Sequence, residues 1–350
     1  MDEGFDGHGL AYHPERVAGW LATRTTTGPI YTEVELWPAC TCRCSFCGVD
    51  HLVGSHSDRL DAAQWRRVLD DLADAGNRSV MFAGHGESLL HPDAAAVIGH
   101  ASGRMRTSVT TNGLAFEAAG AELIDLLAWI RFSINAGDAA TYAAVHGTAP
   151  DRFEVAVRAV AAAAKRKRRH GLSVVVGVQL VLLDENLAGA VALARIARDA
   201  GADYFSVKPY SQHPRSGNRL SPDYSGAAAL ERQLAPLSTD RFRVVFRAGT
   251  FARLGAPRPY STCLATPFMS FVDARGDVWG CPVFAGDPAF RVGNAVATRF
   301  PDLWSGPGRA AVQARVESLD ATACREACRL DPSNRYLARL LDARPEDAFL

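Results

Sequence analysis

Predicted strands and helices alternate through the first two thirds of this 350-residue chain. Residues 30–37 alternate polar and apolar side chains as strands do, whereas apolar residues recur at helical spacing in 58–75. Between residues 30 and 210 the alternation occurs six times, which is typical of parallel βαβ units. We therefore expect an α/β fold, a partial (β/α)6 TIM-like barrel whose functional groups lie at the carboxyl ends of its strands.

The composition changes after this barrel. Residues 214–226 are rich in Pro, Gly and Ser, as linkers are. Beyond them the sequence predicts a β-hairpin across 268–281 and a helix over 302–317, which together would form a small C-terminal domain. The predicted organisation is an N-terminal extension (1–29), the barrel (30–213), a linker (214–240) and the C-terminal domain (241–350).

Four of the eight cysteines lie within eight residues, directly after the first predicted strand. Without Cys42, they read Cys40-x3-Cys44-x2-Cys47, with Phe46 just before the last. Three thiolates on one loop can hold three irons of a [4Fe–4S] cluster and leave the fourth iron open to a small molecule. A structural zinc site would use four ligands, so a zinc knuckle or inert cysteines are the alternatives.

Composition excludes several classes of function. Lys+Arg and Asp+Glu are both 38, so the formal net charge is zero and gives no electrostatic reason to expect nucleic acid as a partner. No apolar run is long enough to cross a membrane. The N-terminus is acidic and shows no signal peptide, so we expect a cytoplasmic protein whose cysteines serve metals or catalysis.

A second motif follows the second predicted strand, in the turn Gly84-His85-Gly86-Glu87. Together with the cysteine loop, this turn resembles radical S-adenosylmethionine (SAM) enzymes, in which the corresponding backbone holds the methionine amino group of SAM. His85 and Ser88 depart from the family pattern, and the role of His85 is open. The resemblance implies a SAM-binding [4Fe–4S] cluster on Cys40, Cys44 and Cys47. The cofactor-binding residues that it implies are Phe46, Gly84, Gly86, Glu87, Thr111, Asn112, Ser133 and Asn135.

The other four cysteines lie in the C-terminal part of the chain. Cys263, Cys281, Cys324 and Cys328 are separated by 17, 42 and 3 residues and can close one metal site. With the hairpin and the segment Gly293-Asn294, they resemble the Twitch/SPASM auxiliary-cluster domain of radical SAM enzymes. This resemblance implies a second, auxiliary [4Fe–4S] cluster, and zinc is the alternative ligand of the quartet.

Four polar residues are candidates for contact with substrate. Glu33 and Glu35 share one face of the first predicted strand, which either lines the barrel or is a solvated edge. Gln179 is a polar residue in an apolar strand, and Lys208 lies at a strand end next to Pro209. We predict catalytic roles for all four.

The resemblance implies chemistry through a 5′-deoxyadenosyl radical, which takes a hydrogen atom from the substrate. Cys42 is the one cysteine without a predicted partner, and a loop thiol is poorly placed to return a hydrogen atom. We therefore expect an oxidoreductase that dehydrogenates a small sugar-, aminoglycoside- or nucleoside-like molecule in antibiotic biosynthesis. Epimerisation, decarboxylation or dehydration of a similar sugar stays open.

Two further hypotheses differ in class. One is modification of a ribosomally made peptide, which the short N-terminal extension disfavours because it has no room for a peptide-recognition domain. The other is a non-enzymatic electron carrier or zinc scaffold, in which the Gly84–Glu87 turn would have no role. A radical SAM enzyme also implies a flavodoxin- or ferredoxin-type electron donor as a partner.

Overall fold

The computed structural model describes residues 8–349. The first seven residues of the expected N-terminal extension, with the acidic N-terminus, lie outside this range. One ten-stranded sheet runs through the structure in the order β10-β9-β8-β1-β2-β3-β4-β5-β6-β7. The strands are β1 (Tyr31–Val34), β2 (Ser79–Phe82), β3 (Arg106–Thr111), β4 (Trp129–Ser133), β5 (Val175–Leu182), β6 (Tyr204–Pro209), β7 (Arg243–Phe246), β8 (Met269–Val272), β9 (Asp277–Trp279) and β10 (Arg291–Asn294).

Helices connect the strands, as the alternating sequence predicts. They are α1 (Pro14–Thr23), α2 (Ala62–Asp74), α3 (Ala94–Ser102), α4 (Phe116–Ala119), α5 (Ala139–His146), α6 (Arg152–His170), α7 (Ala190–Asp199), α8 (Ala227–Leu234), α9 (Ala248–Ala252), α10 (Phe300–Ser305), α11 (Pro307–Glu317) and α12 (Asp331–Leu341). Helix α2 shows why they form. Asp61 and Gln64 make a reciprocal capping box, and Trp65, Val68 and Leu72 bury one face of the helix in the core.

Strands β1 to β7 pair in chain order and all run parallel. Their carboxyl ends therefore lie at one edge of the sheet. The cysteine loop follows β1 at this edge, the Gly84–Glu87 turn follows β2, and Lys208 is the last residue but one of β6. The predicted α/β fold with a mostly parallel sheet is confirmed. The helix predicted over 302–317 is in fact two helices, because the chain breaks at Gly306 between α10 and α11.

The C-terminal hairpin belongs to the same sheet as the barrel. Strand β8 pairs in parallel with β1, on the side opposite to β2, and β9 and β10 continue antiparallel. At the other end, β7 pairs in parallel with β6, although the predicted boundary assigned it to the C-terminal domain. The predicted linker contains helix α8. The sheet is thus continuous across the predicted division, which itself stays a prediction.

Helix α1 packs against the amino-terminal end of the sheet. Its Val17 and Trp20 form an apolar cluster with Ile30 before β1, Phe268 before β8 and Leu337 of α12. This cluster joins the two ends of the described chain. Within residues 8–349, no helix combines the length and apolar character that a membrane span requires.

Candidate active site

The cysteine loop is anchored to the end of α5. The Arg43 N–H donates to the His146 carbonyl at 2.9 Å, and the Ser45 N–H donates to the Val145 carbonyl at 3.0 Å. The Nδ1 atom of His146 lies 3.4 Å from the Cys44 thiol. Burial lowers the pKa of His146 to about 4, so this ring is neutral near pH 7.

The thiols of this loop differ in accessibility. Cys40, Cys44 and Cys47 are partly exposed, whereas Cys42 is 4% exposed. Among the residues described, the atoms close enough to share one ion are those of Cys42, Cys44 and His146, all within 4.8 Å of one another. Three accessible thiols on one loop fit a [4Fe–4S] cluster with one open iron. In this conformation the Cys42 thiol also lies within 4.8 Å of the Cys44 thiol.

The Gly84–Glu87 turn packs directly on the backbone of the cysteine loop. A Cβ atom at Gly86 would collide with the carbonyl oxygen of Trp37 and approach that of Ala39 to 2.6 Å. The Glu87 N–H donates to the Ala39 carbonyl at 2.9 Å. Gly84 has a φ of +110°, which favours glycine. Both glycines are thus required by close approach or backbone conformation.

The Glu87 carboxylate connects this turn to the end of β3. Its Oε2 accepts from the Asn112 N–H at 2.8 Å and its Oε1 from the Leu89 N–H at 3.2 Å. Burial raises the pKa of Glu87. Asn112 in turn directs its side-chain amide toward the thiols of Cys40 and Cys42, at 3.6 and 3.7 Å. Glu87 therefore orients Asn112, which contacts the cysteine loop.

The other predicted cofactor residues are more enclosed. The Thr111 hydroxyl accepts from the Gly113 N–H at 2.9 Å. Asn135 is fully buried, and its side-chain amide accepts from the Val181 N–H and donates toward Ser133 and His146. These bonds join β4, β5 and α5, and the contact of Thr111, Ser133 and Asn135 with SAM stays a prediction. Phe46 packs edge-on against His146, with ring centroids 5.8 Å apart.

Glu35 is buried and forms an ion pair with His85. Its Oε2 lies 2.9 Å from His85 Nδ1 and accepts from the His85 N–H at 2.6 Å, while Oε1 accepts from the Ala274 N–H. Burial opposes both charges, yet the pairing lowers the pKa of Glu35 and raises that of His85. His85, whose role the sequence leaves open, thus links the turn to β1 and the hairpin.

Glu33 and Lys208 line one cavity of about 170 Å³ at the barrel opening. Gly84 and His85 of the turn and two cysteines of the C-terminal set, Cys281 and Cys328, line the same cavity. Arg329 donates a short hydrogen bond to the Glu33 carboxylate. The cavity therefore joins residues from both motifs with a strand-end lysine.

Gln179, the fourth predicted catalytic residue, makes a contact inside the barrel. Its side-chain oxygen accepts from Arg131 at 3.4 Å. It is not one of the residues that line the 170 Å³ cavity in the described structure. A catalytic role for Gln179 stays a prediction.

The four C-terminal cysteines line a second, smaller cavity of about 40 Å³. Its other walls are largely apolar, with Val283, Phe284 and Leu319. Burial raises the pKa of the Cys263 thiol to about 11, and Asn334 donates to its sulfur at 3.4 Å. Four thiols around one cavity fit a closed metal site, and the identity of the metal group stays a prediction.

Sequence reasoning missed two cavity residues, Arg325 and Arg329. Arg325 donates to the Ser211 hydroxyl at 2.8 Å, and Arg329 bonds to Glu33 and Tyr31 across nearly the whole chain. Their position in the sequence could have indicated a place near the site, since each directly follows one of the predicted ligands Cys324 and Cys328.

Comparisons with known proteins agree with this geometry. Residues 34–196 match the sequence profile of the Radical SAM superfamily. A PqqA peptide cyclase from Xanthomonas euvesicatoria pv. vesicatoria (strain 85-10) is 26% identical over 305 residues, which cover 82% of this chain and 77% of the relative.

Two solved structures share the fold. Streptococcus suis SuiB bound to S-adenosylmethionine aligns with a TM-score of 0.69 at 17% identity, covering 96% of this chain and 80% of SuiB. AnSMEcpe with bound AdoMet aligns with a TM-score of 0.57 at 14% identity, covering 88% of each chain. With the profile match, the three-cysteine loop and the Gly-x-Gly-Glu turn, this protein belongs to the radical SAM superfamily and is a radical SAM enzyme with a [4Fe–4S] cluster and SAM as its cofactors.

Proposed function

We propose that this radical SAM enzyme modifies a peptide, one side chain of which enters the 170 Å³ cavity. The observation that carries the proposal is the lining of this cavity. Gly84 and His85 come from the turn on the cysteine loop, Lys208 from the barrel, and Cys281 and Cys328 from the second cysteine set. A side chain held there would lie against the second group of cysteines and against the turn that packs on the first.

The size of the cavity favours part of a longer molecule. Pockets that enclose a drug-sized ligand have volumes of about 300–1,000 Å³. A space of about 170 Å³ lies below that range and accommodates a single side chain of a longer molecule. The curated relative that covers most of this chain is a peptide cyclase, which adds support from sequence.

The comparisons therefore favour the peptide hypothesis over the sugar-like substrate that we expected from the sequence. That expectation rested partly on the short N-terminal extension, which is weak ground because peptide recognition does not require a separate domain. Dehydrogenation in antibiotic biosynthesis has no support from the relatives reported above.

The four C-terminal cysteines complete the proposal. Their cavity shares Cys281 and Cys328 with the cavity of the proposed substrate. A second [4Fe–4S] cluster on this set would supply an acceptor for one electron from the substrate radical. Cys42 is a poor hydrogen donor for an epimerase, because it is 4% exposed and lies against Cys44 and His146.

Anaerobic turnover tests this function. The iron-loaded protein, SAM and a chemical reductant are incubated with short random-sequence peptides or with monosaccharides and an aminoglycoside. We expect 5′-deoxyadenosine in step with a peptide that has lost two hydrogen atoms. Modification of a sugar in place of peptides would overturn the proposal, and bound zinc with no SAM cleavage would favour the scaffold hypothesis.

A further inference from the structure

Lys208 lies in a cavity that leaves its charge uncompensated. It is the fifth residue of β6 and lines the 170 Å³ cavity. Within residues 8–349, its amine has no hydrogen-bond or ion-pair partner. Burial and four arginines (Arg131, Arg247, Arg325 and Arg329) lower the pKa of Lys208 to about 7. The side chain is half-buried, and a partly desolvated amine without a counter-ion is unfavourable unless a ligand compensates its charge.

The charges around Lys208 are predominantly positive. The titratable or charged groups that line the cavity come from several elements: Glu33 of β1, His85 after β2, His213 after β6, Arg247 after β7, and Cys281, Arg325, Cys328 and Arg329 of the C-terminal part. Arg131 of β4 lies near the cavity. In the described part of this wall, Glu33 is the one carboxylate, and it is bonded to Arg329. Arg325 bonds to the uncharged Ser211.

The neighbouring histidines add no negative charge. The pairing with Glu35 raises the pKa of His85 against the effect of burial, which favours the protonated ring. Burial and the nearby Arg325 lower the pKa of His213 to about 4, which keeps that ring neutral. An anion that entered the cavity would therefore meet Lys208 and Arg325 on a partly desolvated wall, where the attraction between charges is stronger than in bulk water.

We propose that this cavity binds a carboxylate, so that the peptide residue held there is an aspartate, a glutamate or the C-terminal residue, with Lys208 as its anchor. The inference rests on the proposed peptide function, and it adds the chemical class of the residue that is bound. A carboxylate beside Lys208 makes a charge-assisted hydrogen bond and supplies the missing negative charge. A neutral side chain of the same shape would leave the lysine unpaired.

Proton linkage follows from the same arrangement. A bound carboxylate favours the charged amine, so it raises the pKa of Lys208 from about 7. At about pH 8 the free lysine is largely neutral and binding takes up a proton, whereas at about pH 6 the lysine is already charged and uptake disappears.

Calorimetry on the holoenzyme tests the inference without turnover. The anaerobic, iron-loaded protein is first saturated with SAM, so that the carboxylate of SAM cannot be the occupant that is measured. Three probes are then titrated: N-acetylglutamate N-methylamide, N-acetylalanine with a free carboxylate, and the neutral N-acetylglutamine N-methylamide. Each titration is repeated in two buffers of different ionisation enthalpy to count protons.

We expect at least one carboxylate probe to bind about tenfold or more tightly than the neutral amide, with proton uptake at the higher pH only. Preference for the glutamate probe assigns a side-chain carboxylate, and preference for N-acetylalanine assigns the peptide C-terminus. Equal affinity of all three probes, or no binding of either carboxylate, would overturn the inference.

Variants connect the result to Lys208. Lys208→Met should abolish both the preference for carboxylate and the proton uptake, whereas Lys165→Met, at an exposed site on α6, should keep both. Iron content and thermal unfolding show whether Lys208→Met is folded, and the proton count of the unmodified protein stands independently of it. Modification of peptides that have no accessible carboxylate would refute the inference and leave the peptide function standing. Carboxylate binding without modification of any peptide would refute the peptide function and leave the carboxylate site standing.

Discussion

The buried pair of Glu35 and His85 links three segments at the level of single atoms. Glu35 belongs to the chain after β1, His85 to the turn after β2, and Ala274, which donates to Glu35, to the hairpin. Removal of one member leaves the other charge without compensation inside the protein. Buried pairs of this kind cost about 3–5 kcal/mol when one partner is removed.

Glu35→Gln should therefore lower the free energy of unfolding by about 3–5 kcal/mol. Glu185→Gln, at an exposed site, should leave the free energy of unfolding nearly unchanged. The lowered pKa of Glu35 gives stability that is present above its unfolded pKa of 4.5 and lost in acid. The raised pKa of His85 gives stability that is present below its unfolded pKa of 6.5 and lost in base. Denaturant unfolding should show the largest difference from the unmodified protein between these two values. A difference independent of pH would contradict the ion pair.

Gly86 is required by the contact between the turn and the cysteine loop. In Gly86→Ala, the added methyl group meets two carbonyl oxygens of the rigid loop backbone, at Trp37 and Ala39, so the turn has to move away. We expect a lower unfolding temperature and less iron bound per chain. Gly99→Ala in α3 is the matched control, because the nearest atom to its methyl group is at 3.5 Å.

The control should stabilise the protein by about 0.4–1 kcal/mol, since alanine restricts the unfolded chain at a helical position. Iron analysis and thermal unfolding of the two variants give the comparison. If Gly86→Ala kept full iron content and stability, the turn would not be held by this contact.

At the scale of elements, the hairpin β8–β9 connects the second cysteine set to the barrel. Asp273 fixes its turn: it accepts from the N–H groups of Arg275 and Asp277 at 2.9 and 3.1 Å and from the indole of Trp279 at 3.0 Å. Cys281 follows directly after this hairpin. The position of Cys281 therefore depends on how well the hairpin is formed.

Asp273→Asn should loosen this element. An amide offers one acceptor oxygen where the carboxylate offers two, so at least one of the three donors loses its partner, at a cost of about 1–3 kcal/mol. Hydrogen exchange should accelerate at the amides of β8 and β9 more than at those of β4 and β5. Asp240→Asn, at an exposed site, is the control, and equal protection of the hairpin in both variants would contradict this role.

The hairpin also shows what the sequence can predict. The alternation of strands and helices predicts parallel pairing of neighbouring strands, and the segment Asp273–Gly276 predicts a tight turn, because both are local patterns. The pairing of β8 with β1 is different. Thr32 and Ser270 share a hydroxyl hydrogen bond of 2.7 Å although they lie 238 positions apart. Periodicity specifies the faces of a strand but not its neighbour, so no local pattern could predict this contact.

The same limit applies to the candidate site. Both sets of cysteines and the glycine turn have fixed spacings that reflect their chemistry, so they could be recognised. The partners of Glu33 and Glu35 could not, because Arg329 and His85 reach them only through the fold. A shared strand face suggested one role for the two carboxylates, and the fold gives them different partners.

At the scale of the whole molecule, the protein carries two sets of thiols at opposite ends of the sequence. The first set lies in 40–47, and the second is assembled from residues before β8, after β9 and after α11. Cys281 and Cys328 line both the second thiol cavity and the cavity of the proposed substrate. The second set thus adjoins this cavity directly, and the first set is connected to it through the Gly84–Glu87 turn, which packs on the cysteine loop.

Single-cysteine variants separate the two sets. If each holds an iron–sulfur cluster, Cys47→Ala and Cys281→Ala should each retain about half of the iron of the unmodified protein. Cys42→Ala, which removes the buried thiol, should retain nearly all of the iron.

Cys47→Ala should abolish SAM cleavage, because the cluster that binds SAM is lost. Cys281→Ala should still cleave SAM without forming product, because the proposed electron acceptor is lost. Anaerobic iron and zinc analysis and 5′-deoxyadenosine measurement check these outcomes. Zinc in the unmodified protein that disappears in Cys281→Ala would assign the second set to a structural site, and normal product from that variant would rule out its role as electron acceptor.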